Sequence, residues 1–93
     1  MKATYNGHVI AISDSTVILE GIHYFPPDSV DDKYLRSSST TTTCPWKGIA
    51  EYRDVVIDGE TLHDAAFVYP APTNEADKIR NRFAFWRGIE VTE

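Results

Sequence analysis

The sequence contains little of what several functional classes require: one cysteine, five glycines and no long apolar run. A single cysteine excludes an internal disulfide framework and any zinc site built from several thiolates. No apolar stretch approaches the roughly 20 residues of a membrane span, and the first residues lack the apolar region of a signal peptide. We therefore expect no membrane association and a location in the reducing cytoplasm.

Positive charge is also scarce, because 9 Lys and Arg stand against 14 Asp and Glu, for a formal net charge of -5. An acidic chain repels phosphate backbones, and the basic residues are scattered along the sequence. Nucleic acid is therefore not an expected partner. A length of 93 residues and a hydrophobic content of 42% are typical of one globular domain, which we expect to span residues 1–93.

The apolar residues occur in short, β-branched runs that end at turn residues, which is the pattern of β-strands. Asp58-Gly59-Glu60 separates two such runs and predicts a hairpin. The polar residues 13–15 predict a second hairpin, between the runs 8–12 and 16–20. Arg87-Gly88 predicts a third hairpin near the end of the sequence.

Helical signals are few and short. Residues 28–35 are compatible with one helical turn, and Asn74 is a plausible N-cap for a short helix, because Glu75 and Asp77 follow in its first turn. The fold class expected from these patterns is mainly β and mostly antiparallel. We expect this fold to be either a small barrel or a pair of packed sheets.

Ser37 to Thr43 is an unbroken run of seven hydroxyl residues. Its threonines favour extended backbone, so Thr40 and Thr42 would share one face of a strand and Thr41 and Thr43 the other. One row of hydroxyls could then line a cavity. The alternative is a polar edge strand that resists pairing with other chains.

The run leads into Cys44-Pro45-Trp46-Lys47-Gly48. Cys44 is the only candidate thiol nucleophile, with Lys47 near it in sequence and His23 as a conceivable base; the alternative is a small buried apolar residue. Trp46 would either form the wall of a pocket or pack in the core.

Metal-binding patterns are absent, since the three histidines are far apart and have no cysteine partners. We expect neither a metal nor a cofactor. Asp64 is unusual because it interrupts an apolar strand, where an unpaired carboxylate would cost several kcal/mol if it were buried. It is either a structural or site carboxylate, or an outward-facing residue of the hairpin.

Several segments together resemble a small bacterial family, domain-of-unknown-function family 427, which is sometimes labelled nucleotidyltransferase. The resemblance covers nearly the whole chain, and its most specific part is the Thr-Thr-Cys-Pro-Trp-Lys-Gly core. The segments are Tyr24 to Pro27, Thr40 to Gly48, Tyr52, Asp64 to Pro70, Phe83 to Trp86 and Gly88 to Val91.

The resemblance implies a small β-tent, in which two antiparallel sheets are pinned together at one end. This Mss4-like fold is shared with methionine sulfoxide reductase B and the cereblon ligand-binding domain. Many such relatives hold zinc with two Cys-x-x-Cys pairs, which this sequence lacks. The resemblance therefore implies the architecture and a cleft between sheets, without a metal.

Two functional hypotheses follow. The first is a small-molecule-binding β domain with thiol chemistry at Cys44 as an option, because aromatic walls with a few polar anchors are typical of ligand sites. Its expected ligand-binding residues are Tyr24, Thr42, Trp46, Lys47, Tyr52 and Asp64. The second is a non-enzymatic structural or protein-interaction module, whose edge strands could pair with a partner and for which a homodimer is one arrangement.

Overall fold

The computed structural model describes every residue from Met1 to Glu93, and short antiparallel strands make up most of it. The prediction of a mainly β, antiparallel fold is confirmed. The strands form a three-stranded sheet (β2-β1-β9), a two-stranded sheet (β3-β4) and a four-stranded sheet (β5-β6-β7-β8). Their bounds are β1 Lys2–Tyr5, β2 His8–Ile12, β3 Val17–Leu19, β4 Ile22–Tyr24, β5 Leu35–Cys44, β6 Gly48–Ile57, β7 Glu60–Val68, β8 Phe83–Phe85 and β9 Glu90–Thr92.

The hairpin at Asp58-Gly59 is confirmed: it joins β6 to β7, with φ of 53° at Asp58 and 77° at Gly59. The hairpin predicted about residues 13–15 is wrong, because β2 pairs with β1 and β3 pairs with β4. The connections in those two hairpins are Asn6-Gly7 and Glu20-Gly21, both with positive φ. Such left-handed pairs match the twist of a two-residue hairpin, whereas the polar triplet links two sheets.

The hairpin predicted about Arg87-Gly88 is also wrong. Both residues have positive φ, 54° and 96°, but the turn carries the chain from β8 in the four-stranded sheet to β9, which pairs with β1. Strand β1 itself was not predicted from the sequence. Ala3 is its single buried residue, so it lacks the apolar run that marks the other strands.

The helical segments are short 3₁₀ turns, Pro27–Ser29, Asp32–Tyr34 and Asn74–Ile79. Asn74 is not the N-cap that the sequence predicted, since Thr73 occupies the cap position. The Thr73 hydroxyl donates to the Trp46 carbonyl instead of capping the turn. None of the three segments has the length and hydrophobicity that a membrane-spanning helix needs.

The four-stranded sheet is covered on both faces. Ala84 and Phe85 are consecutive in β8, yet they belong to different apolar clusters, because successive side chains of a strand point to opposite faces. The cluster with Phe85 includes Ile10 of the three-stranded sheet. The cluster with Ala84 includes Ile79 of the last 3₁₀ segment and Tyr24 of the β3–β4 hairpin.

Candidate functional site

The segment from Cys44 to Gly48 forms the tight bend between β5 and β6. Gly48 has φ of 111°, and a Cβ atom at this position would lie 3.3 Å from both the Ala71 carbonyl oxygen and the Pro72 Cα. Positive φ and close backbone approach are both conditions that glycine meets without strain. The glycine that ends the motif therefore lets the bend pack against the segment after β7.

Thr73 binds the bend to the segment after β7 through two hydrogen bonds. Its amide donates a hydrogen bond of 3.0 Å to the Lys47 carbonyl, and its hydroxyl donates to the Trp46 carbonyl. Two consecutive carbonyls of the bend are thus held by one residue. The backbone that carries the Trp46 and Lys47 side chains is fixed in place.

Lys47 is the only buried charged residue, with 8% of its surface exposed. Its ammonium lies 2.5 Å from Glu20 Oε1, and it lies 5.5 Å and 5.8 Å from the ring centroids of Tyr69 and Trp46. Burial disfavours the charged ammonium, but the Glu20 hydrogen bond and the neighbouring tyrosines outweigh it, so the pKa of Lys47 is raised. The lysine is therefore a fixed cation between aromatic rings.

Tyr24 lies in the same cluster and is fully buried. Its hydroxyl makes no hydrogen bond to any protein group, and it is the only such buried side-chain atom in the structure. Burial raises the pKa of Tyr24 to about 12, although the positive charge of Lys47 acts in the opposite direction. Tyr24 is consequently a neutral phenol with free hydrogen-bonding capacity near a buried cation.

Cys44 is half-buried and packs against the cluster that contains Tyr24. His23, the conceivable base, has its Nδ1 atom 2.9 Å from the Thr16 hydroxyl, and no hydrogen bond joins it to Cys44. The thiol therefore lies beside the buried tyrosine without the imidazole partner that nucleophilic activation would require.

Thr42 and Tyr52 contact each other on the same face of the sheet. The Thr42 hydroxyl oxygen lies 3.1 Å from the Tyr52 hydroxyl oxygen. The Tyr52 ring packs at 5.7 Å from the Phe67 ring and 6.4 Å from the Trp86 ring, and Phe67 in turn makes an edge contact with Tyr24. An aromatic row thus connects the exposed threonine to the buried tyrosine.

Asp64 lies apart from Lys47, in a cluster of its own. Its carboxylate accepts hydrogen bonds from Ser38 (2.5 Å) and Thr40 (2.8 Å), two members of the hydroxyl run. These hydrogen bonds, with the Ser38 bond first, lower the pKa of Asp64. Its backbone has φ of 55°, and its amide donates to Asp54. Each carboxylate oxygen of Asp64 thus accepts one hydrogen bond from a hydroxyl of the run.

The cavities of the structure lie elsewhere, and none of the predicted ligand-binding residues lines them. One cavity of about 210 Å³ is lined by Thr4, Tyr5, Asn6, Gly7, Gly88 and Glu90. The other, of about 270 Å³, is lined by Met1, Gly21, Ile22, His23, Phe85 and Val91. No group of three or more His, Cys, Asp or Glu residues is placed to hold a metal ion.

Sequence reasoning missed Glu20 and Tyr69, which complete the surroundings of Lys47. Gly21 between two β-branched runs marks a turn, so the sequence contains a partial signal for this hairpin. It contains none for the contact of that turn with Lys47, 27 residues further along the chain.

Comparison with known proteins agrees with the resemblance seen in the sequence. A search of curated proteins gives no match. A family model described as a domain of unknown function (DUF427) matches residues 1–93. Because that match spans the whole sequence, the chain belongs to the DUF427 family.

Proposed function

We propose that the protein is a small-molecule-binding β domain. Its binding site would be the group of Tyr24, Trp46, Lys47 and Tyr69 beneath the β3–β4 hairpin, here called the Tyr24–Lys47 site. The observation that carries this proposal is the Tyr24 hydroxyl, which is buried and has no protein partner.

A buried hydroxyl without a partner destabilises a fold by about 1–3 kcal/mol. Phenylalanine would fill nearly the same volume and make the same edge contact with Phe67 without that cost. A ligand that hydrogen-bonds to the phenol would remove the penalty, because the hydroxyl can both donate and accept. The unpartnered hydroxyl is thus better explained by binding than by folding.

The surroundings of the hydroxyl supply aromatic walls and a fixed cation, and the space for a ligand would have to open beside them, since both cavities lie elsewhere. Trp46 is 36% exposed, so one aromatic wall faces solvent, while Tyr69 is buried with its ring centroid 5.5 Å from the Lys47 ammonium. Apolar and aromatic walls with one or two fixed polar groups are typical of small-molecule sites. Cys44 lies in the same cluster, so a bound molecule would shield its thiol from alkylation.

The test is a thermal-shift screen of the protein and its Tyr24→Phe variant with aromatic carboxylates, nucleotides and sugars. A ligand at about 100 times its Kd should stabilise the native protein by about 2.7 kcal/mol, and Tyr24→Phe should reduce that shift. Tyr34→Phe is the matched control, because the Tyr34 hydroxyl contacts His8 instead. A folded protein that no compound class stabilises, and whose Cys44 none protects, would refute the proposal.

A second candidate function is a protein-interaction module that pairs with a second copy of itself. Strand β5 is ten residues long and lies at the edge of its sheet, and it has no charged residue from Ser37 to Cys44. Charged side chains are a common device against edge-to-edge pairing. A register shift between Ser37 and Thr41 interrupts the first half of the edge, so residues 41–43 are the segment available for pairing.

A further inference from the structure

We propose that the ligand of the Tyr24–Lys47 site is a carboxylate, and that it binds by replacing the carboxylate of Glu20 on Lys47. This inference rests on the proposed function and specifies the chemistry of its ligand. Glu20 would then act as an internal competitor that occupies Lys47 whenever the ligand is absent.

The two partners of this ion pair differ in how much they depend on each other. The Lys47 side chain is 10% exposed, whereas the Glu20 side chain is 49% exposed. A buried ammonium that loses its anion is strongly destabilised, while an exposed carboxylate that loses its cation is simply hydrated. Lys47 therefore requires an anion at all times, but Glu20 does not require Lys47.

Exchange of one carboxylate for another satisfies that requirement. The incoming anion would keep Lys47 paired, and the released Glu20 would move into water. A neutral ligand would have to leave Lys47 unpaired or fit beside Glu20. The site thus selects for anions, and a single cation with two neighbouring tyrosines suits a monoanion better than a doubly charged phosphate.

Glu20 lies where it can leave without disturbing the core. It occupies the turn of the β3–β4 hairpin with φ of 55°, next to Gly21 with φ of 77°. The hairpin forms a two-stranded sheet of its own, and such pairs are only marginally stable without support. Lys78 holds strand β3 away from the turn through the Ile18 carbonyl, and Arg82 holds the segment just before β3 through the Ser15 carbonyl. The turn can therefore open while the strands stay attached.

The Tyr24 hydroxyl provides the second polar contact for the incoming group. Its phenol is neutral and unpartnered, and it lies within the electrostatic influence of Lys47, so a carboxylate paired with Lys47 would be the acceptor for its hydrogen bond. Trp46 and Tyr69 flank the ammonium, so a ring attached to the carboxylate would contact aromatic surface. The chemistry is that of a small aromatic carboxylate.

The experiment compares benzoate with its neutral analogue benzamide in titrations followed by the indole N–H signals of Trp46 and Trp86. If Glu20 occupies Lys47 about 90% of the time, Glu20→Gln should tighten benzoate binding about tenfold. Benzamide should bind weakly to both proteins, with no gain in the variant. Glu51→Gln is the matched control, because Glu51 forms an ion pair of its own, with Arg53, and it should leave benzoate binding unchanged.

Glu20→Gln leaves Lys47 without an anion and lowers stability, so a second readout is needed. Benzoate should raise the melting temperature of Glu20→Gln more than that of the native protein. Equal binding of benzoate and benzamide, or equal benzoate affinity in native protein and variant, would refute the exchange while the binding function stands. Failure of every compound class in the thermal screen would refute the binding function itself.

Discussion

Ser38 donates a hydrogen bond of 2.5 Å to the Asp64 carboxylate, although their strands, β5 and β7, are not neighbours in the sheet. Strands two positions apart in a regular sheet lie about 10 Å from each other. Here the strand register shifts twice close to this contact, once between β5 and β6 and once between β6 and β7. The two irregularities bring the hydroxyl run and the carboxylate together across β6.

The first prediction concerns that contact. Ser38→Ala and Asp64→Ala should each lower the melting temperature, and the double variant should lose less than the sum, because both changes remove the same hydrogen bond. Ser39→Ala is the control, since Ser39 is an exposed neighbour in the same run. If the melting temperature of the double variant falls by the full sum of the two single losses, the coupling of Ser38 and Asp64 through this hydrogen bond is contradicted.

The same contact predicts a dependence on pH. Hydrogen bonds from Ser38 and Thr40 hold the pKa of Asp64 below the usual value of an aspartate. The stability it contributes is therefore fully present above the unfolded pKa, and is lost as the pH falls through the folded pKa. Acid unfolding of Asp64→Asn should show a shallower dependence on pH than that of the native protein.

The second prediction tests the bend of the Cys-Pro-Trp-Lys-Gly segment. Gly48→Ala adds a Cβ at 3.3 Å from backbone atoms of the packed segment, whereas Gly59→Ala, also at positive φ, meets nothing within 4 Å. Gly59→Ala should cost about 1–2 kcal/mol from the left-handed conformation alone. Gly48→Ala should cost at least about 1 kcal/mol more from overpacking, as measured by urea unfolding. If both variants lose the same free energy of unfolding, the close approach of Gly48 to the segment after β7 is contradicted.

The third prediction concerns alkaline pH. Burial raises the pKa of Tyr24 from 10.0 to about 12, so the fold retains a proton that the unfolded chain loses. The contribution of this protonated tyrosine to the free energy of unfolding is fully present below pH 10. It declines by roughly 2–3 kcal/mol as the pH rises to about 12. Tyr24→Phe should remove this decline in alkaline unfolding curves and should remove one high-pH step from the tyrosinate absorbance. If the alkaline unfolding curves of the native protein and Tyr24→Phe superimpose, the raised pKa of Tyr24 is contradicted.

The fourth prediction concerns the asymmetry of the Glu20–Lys47 pair. Glu20→Gln leaves a buried ammonium unpaired and should cost about 1–3 kcal/mol. Lys47→Met, which replaces the ammonium by an apolar chain of similar length, leaves an exposed carboxylate and should change stability by less than about 1 kcal/mol. Chemical unfolding of both variants checks this, and equal destabilisation would contradict the asymmetry.

The fifth prediction addresses the interaction candidate. If a second copy pairs at the β5 edge, Thr43→Lys should convert the dimer to a monomer in sedimentation equilibrium, because charge on an edge opposes pairing. The fold itself should be unaffected, since Thr43 is exposed. A native protein that is monomeric at every concentration would contradict this second function.

Local patterns predicted the strand content and one of the three expected hairpins. Asp58-Gly59 specified its hairpin because left-handed backbone at both residues is a property of the residues themselves. The same kind of pair at Asn6-Gly7 makes the first hairpin, which shows that the signal was present there too. The β-branched runs likewise predicted a mainly β chain.

Contacts between distant residues could not be read in this way. Glu20 meets Lys47 only because the hairpin turn folds over the bend, and Asp64 meets Ser38 only because two register shifts coincide. The threonines of the hydroxyl run predicted an extended strand. Nothing in the sequence predicted that the Asp64 carboxylate would bind this run. Tyr24 was predicted for the site from its motif, whereas its missing partner is a property of the packed interior.

The pairing of β1 with β9 has a consequence for how the chain reaches its structure. Strand β1 is the middle of its sheet, and one of its partners consists of residues 90–92. Contacts of such high sequence separation slow folding, because a long loop must close before they form. During synthesis the edge of β1 that β9 covers therefore stays unpaired until residues 90–92 have left the ribosome.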